Sequence, residues 1–100
     1  MKNNTNTNQI NSYKHLVSII EVLPNYGLRL EFEDNEVHDV DCTDMVNDTR
    51  YAPDSEGGQL KSPEYFSQVM IRDGFILCWP NGFDVAPDWL YKAATTTGKL

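Results

Sequence analysis

The chain has 100 residues, enough for one domain with one hydrophobic core. Hydrophobic residues make up 40% of it and charged residues 23%, which is typical of a soluble globular protein and excludes collagen-like or low-complexity chains. No apolar run approaches the roughly 18 residues that a membrane-spanning helix needs. The polar first residues lack the apolar region of a signal peptide, so we expect a cytoplasmic protein that does not bind membranes.

The charge is concentrated in one segment. The net charge is −7, and the stretch from Glu31 to Glu56 holds ten acids against the single base Arg50. The bases are scattered and form no cluster for phosphates, which argues against direct nucleic-acid binding. An acidic surface attracts a basic partner, although a solvated acidic face that only maintains solubility is the simpler interpretation.

The composition divides the chain into a core and two tails. Residues 1–12 are rich in Asn and predict a flexible tail. Residues 13–94 contain all the periodic apolar segments and predict one domain. Residues 95–100 predict a polar C-terminal tail.

The first half of the domain predicts three strands joined by short turns. The nearly continuous apolar run at residues 13–23 predicts either a strand buried on both faces or one long apolar strand with a bend. Residues 28–33 alternate between apolar and charged side chains, as in a half-exposed antiparallel strand. Residues 37–42 predict a third strand, which completes a β-meander. A short helix capped by Thr43 and a polar, irregular loop at residues 48–58 follow.

The second half predicts short helices around a hairpin. Ser62-Pro63-Glu64 combines an N-cap residue, a proline at the first helical position and an acid in the first turn. Asp73-Gly74 is a favoured two-residue turn and predicts a β-hairpin. Pro87 predicts the start of a final helix that frays by Thr95.

These elements predict an α+β fold: a three-stranded antiparallel β-meander plus a β-hairpin, with two or three short helices packed on the sheet. We expect the five strands to form one sheet with open edges. Such edges can pair across a two-fold axis, so a homodimer is possible.

The sequence resembles the bacterial domain of unknown function 2442 family. The resemblance lies in three stretches: Ile19–Phe32 with its turn, the step from Val40 to Val46, and Ser62–Val69 followed by Trp79–Tyr91. It implies a small cytoplasmic α+β domain without an established activity. Some members resemble antitoxin-like partners of a small neighbouring protein, and others are fused to a helix-turn-helix domain. The polar loop at residues 48–59 and the Asn-rich tail depart from the family's usual form.

Two sets of residues are candidates for partner binding. The first is an acidic face: Glu31, Glu33, Asp39 and Asp41. The second is the segment after the last strand, which is either a recognition loop with aromatic anchors or a rigid corner. Its residues are Trp79, Asn81, Gly82, Phe83, Asp84 and Trp89.

Enzymatic alternatives are less well supported by the spacing. Cys42 and His38 lie four positions apart on a predicted strand, about 13 Å along it, which is too far for a nucleophile pair. The two cysteines and two histidines lack the close paired spacing of a zinc site. Asp39 and Asp41 with His38 are the best candidates for a small-ligand or metal-dependent enzyme. We expect no cofactor.

The sequence therefore predicts a non-enzymatic protein-interaction module, antitoxin-like toward a small basic partner. The alternatives are the enzyme that uses Asp39, Asp41 and His38, and a regulatory module that acts with a separate DNA-binding protein.

Overall fold

The computed structural model describes residues 13–100 and is α+β. The Asn-rich tail predicted at residues 1–12 lies outside the described residues. The strands are β1 (Leu16–Leu23), β2 (Gly27–Phe32), β3 (Val37–Asp41), β4 (Met70–Arg72) and β5 (Ile76–Cys78). The helices are α1 (Thr43–Val46), α2 (Glu56–Gln59), α3 (Pro63–Phe66) and α4 (Pro87–Thr96).

The predicted meander is confirmed, with strand order β1-β2-β3 and antiparallel pairing throughout. One face of the sheet is apolar, because β2 alternates Leu28, Leu30 and Phe32, all buried, with charged residues. On β3, Val40 pairs with Leu28 and joins the same inner face. The charged residues of β2 and β3 consequently point to the outer face.

Of the two forms that its apolar run predicted, the first strand takes the bent one and is not buried on both faces. Val17, Ile20 and Val22 are 50%, 49% and 37% exposed. The pairing of β1 with β2 shifts after Leu16 and again after Ile19, so Val17 and Ile20 are the unpaired residues of two β-bulges. Because each bulge changes the phase of the strand, continuous apolar residues do not require burial on two sides.

Helices α1 to α3 are single turns, and capping serine side chains set the starts of α2 and α3. The Ser62 hydroxyl accepts a bond from the backbone N–H of Tyr65, which confirms the predicted helix start. Thr43 is the first residue of α1 rather than its cap, and the N-cap residue Cys42 makes no side-chain bond to the helix. One carboxylate oxygen of Asp41 accepts bonds from the Thr43 N–H and hydroxyl. Helix α2, capped by Ser55, lies in the stretch that the sequence indicated as an irregular loop.

The hairpin forms a two-stranded sheet of its own instead of extending the meander. Its turn is the predicted one: Asp73 and Gly74 both have positive φ, 54° and 85°, as a type I′ turn requires. The expectation of one five-stranded sheet is therefore wrong. The hairpin approaches β1 without a backbone ladder between them, and His15 and Phe75 bring their rings to 4.7 Å.

The last residues differ from the polar tail predicted at residues 95–100. Helix α4 runs to Thr96, and the chain then reverses at Gly98, whose φ is +73°. Asp41 donates its backbone N–H to the Gly98 carbonyl and accepts a bond from the Leu100 N–H. Leu100 is only 8% exposed and belongs to the hydrophobic core, so this segment is part of the domain.

Candidate protein-interaction surface

The outer face of the meander collects acidic side chains from all three strands. In the strand register, Glu21 lies opposite Arg29, and Arg29 lies opposite Asp39. Glu31 and Asp41 lie on the same outer side at neighbouring positions. We call these four carboxylates, with Arg29 among them, the acidic sheet face. Four carboxylates against one guanidinium leave it a net charge of −3.

Arg29 organises the centre of this face. Its guanidinium donates to both Asp39 oxygens, at 2.8 and 3.0 Å, and to Glu21 at 3.3 Å. The hydrogen bonds and charge of Arg29 hold the pKa of Asp39 below its ordinary value. Asp39 therefore stays ionised over a wide pH range, in a fixed orientation.

The other carboxylates of the face are also held in place. Asp41 accepts from Thr43 at 2.6 and 2.8 Å, and these bonds lower the pKa of Asp41. Glu31 accepts a bond of 3.1 Å from the Ser18 hydroxyl on β1. Bonds to neutral groups orient a carboxylate without removing its charge. The face thus presents negative charges in defined positions.

Of the four acids that the sequence indicated, the structure brings three together. Glu33 lies beyond the end of β2, where its side chain accepts from the His15 N–H at 3.1 Å and lies 3.8 Å from the imidazole. It anchors the chain before β1 and is not on the acidic sheet face. Glu21, which the sequence reasoning missed, takes a place there because the bulge in β1 rotates it toward Arg29. An apolar run gives no signal for such a bulge.

The segment after β5 is built as a corner. Trp79, proposed as an aromatic anchor, is 1% exposed, and its indole N–H donates to the Phe66 carbonyl at 2.9 Å. The Asn81 amide donates to the Glu56 carbonyl and to Gln59 Oε1, at 3.0 and 2.8 Å. These bonds connect the corner to α2, so a partner has no access to Trp79 in this conformation.

Gly82, Phe83 and Asp84 also hold the corner in its conformation, whereas Trp89 does not. Gly82 has a φ of +98°, which few residues with side chains adopt. Phe83 is half-buried and packs edge-on against Trp79, with ring centroids 5.8 Å apart. Asp84 accepts a bond of 2.8 Å from Arg72. Trp89, on α4, is 48% exposed and is the one candidate aromatic residue available at the surface.

The residues of the enzymatic alternative do not converge. Asp39 and Asp41 lie on the outer face of β3, whereas His38 lies opposite Leu30 on the inner side, with its ring 5.8 Å from Phe32. Alternation along a strand keeps them on opposite faces. The histidine pairs with Glu36 at 2.8 Å instead. This arrangement contradicts a site made of these three groups.

Cys42 has the properties of a core residue. Its side chain is buried, and burial, with a smaller contribution from Asp41, raises the pKa of the thiol to about 12. At neutral pH it is protonated and a poor nucleophile. Among residues 13–100, no group of three or more His, Cys, Asp or Glu side chains is placed to hold a metal ion. Within the same range, no helix has the length and apolar character needed to cross a membrane.

Comparison with known proteins places the chain in a family. No curated protein and no solved structure matches it significantly. The family model described as "Protein of unknown function (DUF2442)" matches residues 17–96, which include every helix and, apart from the first residue of β1, every strand of the described fold. The chain belongs to the DUF2442 family.

Proposed function

We propose that this protein is a non-enzymatic interaction module that binds a basic protein through the acidic sheet face. The observation that carries the proposal is the concentration of charge on a face that no described element covers: Glu21, Asp39 and Asp41 are exposed on it. Complementary charge accelerates association and excludes acidic competitors. An antitoxin-like role, in which the module covers a small basic protein, is the form we favour.

The held carboxylates support this function. A partner's Lys or Arg that meets a carboxylate already fixed by Ser18, Arg29 or Thr43 does not have to order that side chain on binding. Pre-organisation of this kind lowers the entropic cost of association. Arg29 itself offsets part of the negative charge, so the partner must supply several basic groups rather than one.

The test begins with affinity capture from the native cytoplasm at low and at high salt, read by mass spectrometry. We expect one small basic protein that is retained at low salt and lost at high salt, since ions screen exposed charges beyond about 10 Å at 0.1 M. The recovered protein is then purified, and its affinity is measured directly.

Charge reversal locates the surface. Glu21→Lys with Glu31→Lys reverses two charges and leaves the Asp39–Arg29 pair intact. The matched control, Asp54→Lys with Glu56→Lys, makes the same change in total charge at two exposed positions, one just before α2 and one at its first residue. We expect the first pair to weaken binding at least about tenfold more than the control. Equal effects of the two pairs, or capture that does not depend on salt, would contradict the proposal.

A further inference from the structure

The turn between β1 and β2 separates two clefts of different chemistry. On one side a cleft of about 280 Å³ is lined by Asp39, Asp41 and Thr43, at the end of the acidic sheet face. On the other side a cleft of about 520 Å³ is lined by apolar and aromatic side chains. We call them the acidic cleft and the apolar cleft. The apolar lining consists of Val22, Tyr26, Pro63 and Phe66, and both clefts share Leu23, Pro24 and Asn25.

The wall between the clefts is held in an unusual conformation. Asn25 and Tyr26 have φ values of +60° and +62°. Asn tolerates this region, but the Cβ of an aromatic residue there crowds the following carbonyl oxygen. Tyr26 is kept in place from both ends: its hydroxyl donates to the Lys61 carbonyl, and its ring meets Phe66 edge-on at 5.2 Å. Backbone strain that packing maintains in this way is characteristic of binding sites.

Phe66 and Tyr26 thus form a fixed aromatic wall, and Pro24 and Pro63 restrict the backbone around it. A cleft of this volume lies in the range of pockets that bind small molecules, so it is large enough to admit the side chain of a partner. Buried aromatic and aliphatic anchors in such pockets contribute most of the energy of many interfaces. The apolar cleft therefore has the shape and composition to seat one apolar side chain.

We propose that the apolar cleft seats an aromatic or branched aliphatic side chain of the basic partner, while an adjacent Lys or Arg of that partner enters the acidic cleft. This inference rests on the proposed function and specifies the local sequence that the partner must present. A basic partner is favoured over a second copy of this chain, because each copy has a net charge of −7 and the clefts lie beside Asp39 and Asp41.

The experiment uses a library of random dodecapeptides displayed on phage and selected on the full chain at low salt. We expect the enriched sequences to place an aromatic or aliphatic residue next to Lys or Arg. One such peptide is then synthesised with two variants, in which the apolar residue becomes Ser or the base becomes Gln. Each change should weaken binding about tenfold, as expected when a side chain of this size loses its burial or a charge loses its partner.

Two protein variants distinguish binding in the apolar cleft from general electrostatic attraction of the peptide. Val22→Glu and Val17→Glu add the same negative charge to the same strand, but only Val22 lines the cleft. If charge alone attracts the peptide, both variants bind it at least as well as the parent chain. We expect Val22→Glu to bind about tenfold more weakly and Val17→Glu to show no loss. Val22→Thr, which keeps the side-chain shape, should show a smaller loss and tests the same point if the Glu variant does not fold.

The outcomes distinguish this inference from the proposed function. The inference would be overturned if the enriched peptides were basic without an apolar neighbour and if neither Val22→Glu nor Val17→Glu weakened their binding. That result would leave the proposed role of the acidic sheet face unchanged. Enrichment of acidic or uncharged peptides, or no enrichment, would overturn both. Chemical shifts of the backbone amides give an independent reading, since binding in the clefts should move those of residues 22–23 and 25–27 more than that of Val37 on β3.

Discussion

Single side chains fix the corner after β5, and Trp79 is the most important of them. Trp79→Phe removes the indole N–H that donates to the Phe66 carbonyl, which then keeps only its bond from the Val69 N–H, and also leaves a void in the core. We expect a loss of about 2–4 kcal/mol in the free energy of unfolding. Trp89→Phe is the matched control and should change it by less than about 0.5 kcal/mol, because Trp89 is 48% exposed. Urea denaturation of both variants decides this, and equal losses would contradict the structural role of the corner.

Helix α2 depends on Gly58 because backbone atoms lie too close to this residue for a side chain. A Cβ on Gly58 would lie 1.9 Å from the Ala52 carbonyl oxygen, a backbone atom that cannot rotate away. Gly58→Ala should destabilise the fold by at least about 2 kcal/mol. At Gly74, where φ is +85° and a Cβ meets open space, alanine should cost only about 1 kcal/mol of backbone strain. Thermal unfolding of the two variants separates steric overlap from strain, and an equal cost would mean that the loop relaxes around position 58.

Among the elements, the segment after α4 makes a contribution that its polar composition conceals. Leu100 is buried, and its backbone and that of Gly98 bond to Asp41 at the end of β3. Leu100→Ala should therefore cost about 2 kcal/mol or more, whereas Lys99→Ala, at an exposed position, should cost less than about 0.5 kcal/mol. The measurement is the midpoint of chemical denaturation. A negligible effect of Leu100→Ala would show that this segment is dispensable for stability.

Elements with local signals could be predicted from the sequence, and those set by distant contacts could not. The cap at Ser62 and the turn at Asp73-Gly74 depend on a few neighbouring residues, and both are confirmed. Whether the hairpin joins the meander depends on the packing of segments far apart in the chain, and the expected single sheet was wrong. The docking of Leu100 escaped prediction for the same reason.

In the candidate site, too, residues placed by a local pattern could be predicted and those placed by distant contacts could not. Period-two alternation on β2 and β3 correctly placed Glu31, Asp39 and Asp41 on one face. Glu21 and the two clefts depend on the bulges of β1 and on the meeting of Tyr26 with Phe66, forty positions apart, for which no local pattern exists. The aromatic content of the corner suggested recognition, although burial of Trp79 gives that residue a structural role.

At the scale of the whole molecule, the acidic charge predicts how stability responds to pH. The pKa values of Asp39 and Asp41 lie below the ordinary value, and hydrogen bonds from Arg50 lower the pKa of Asp48 to about 2. In the unfolded chain an aspartate has a pKa of about 3.9, so the unfolded state binds these protons first as pH falls. The contribution of the three groups is therefore present above about pH 4 and is lost as the pH falls through their folded-state pKa values, which for Asp48 is about 2.

We expect the Tm to be nearly constant from about pH 7 to 5 and to fall steeply below about pH 4. Asp48→Asn, which removes the carboxylate that Arg50 binds at 2.6 Å, should lower the Tm at neutral pH and make the decline shallower. The two curves should converge only below about pH 2, where Asp48 becomes protonated in the parent chain as well. Asp54→Asn removes one negative charge from the same exposed loop and controls for net charge. Circular dichroism at a series of pH values measures all three curves. Parallel curves for the parent chain and Asp48→Asn, offset by the same amount at every pH, would show that Asp48 stabilises the loop through packing and not through its charge.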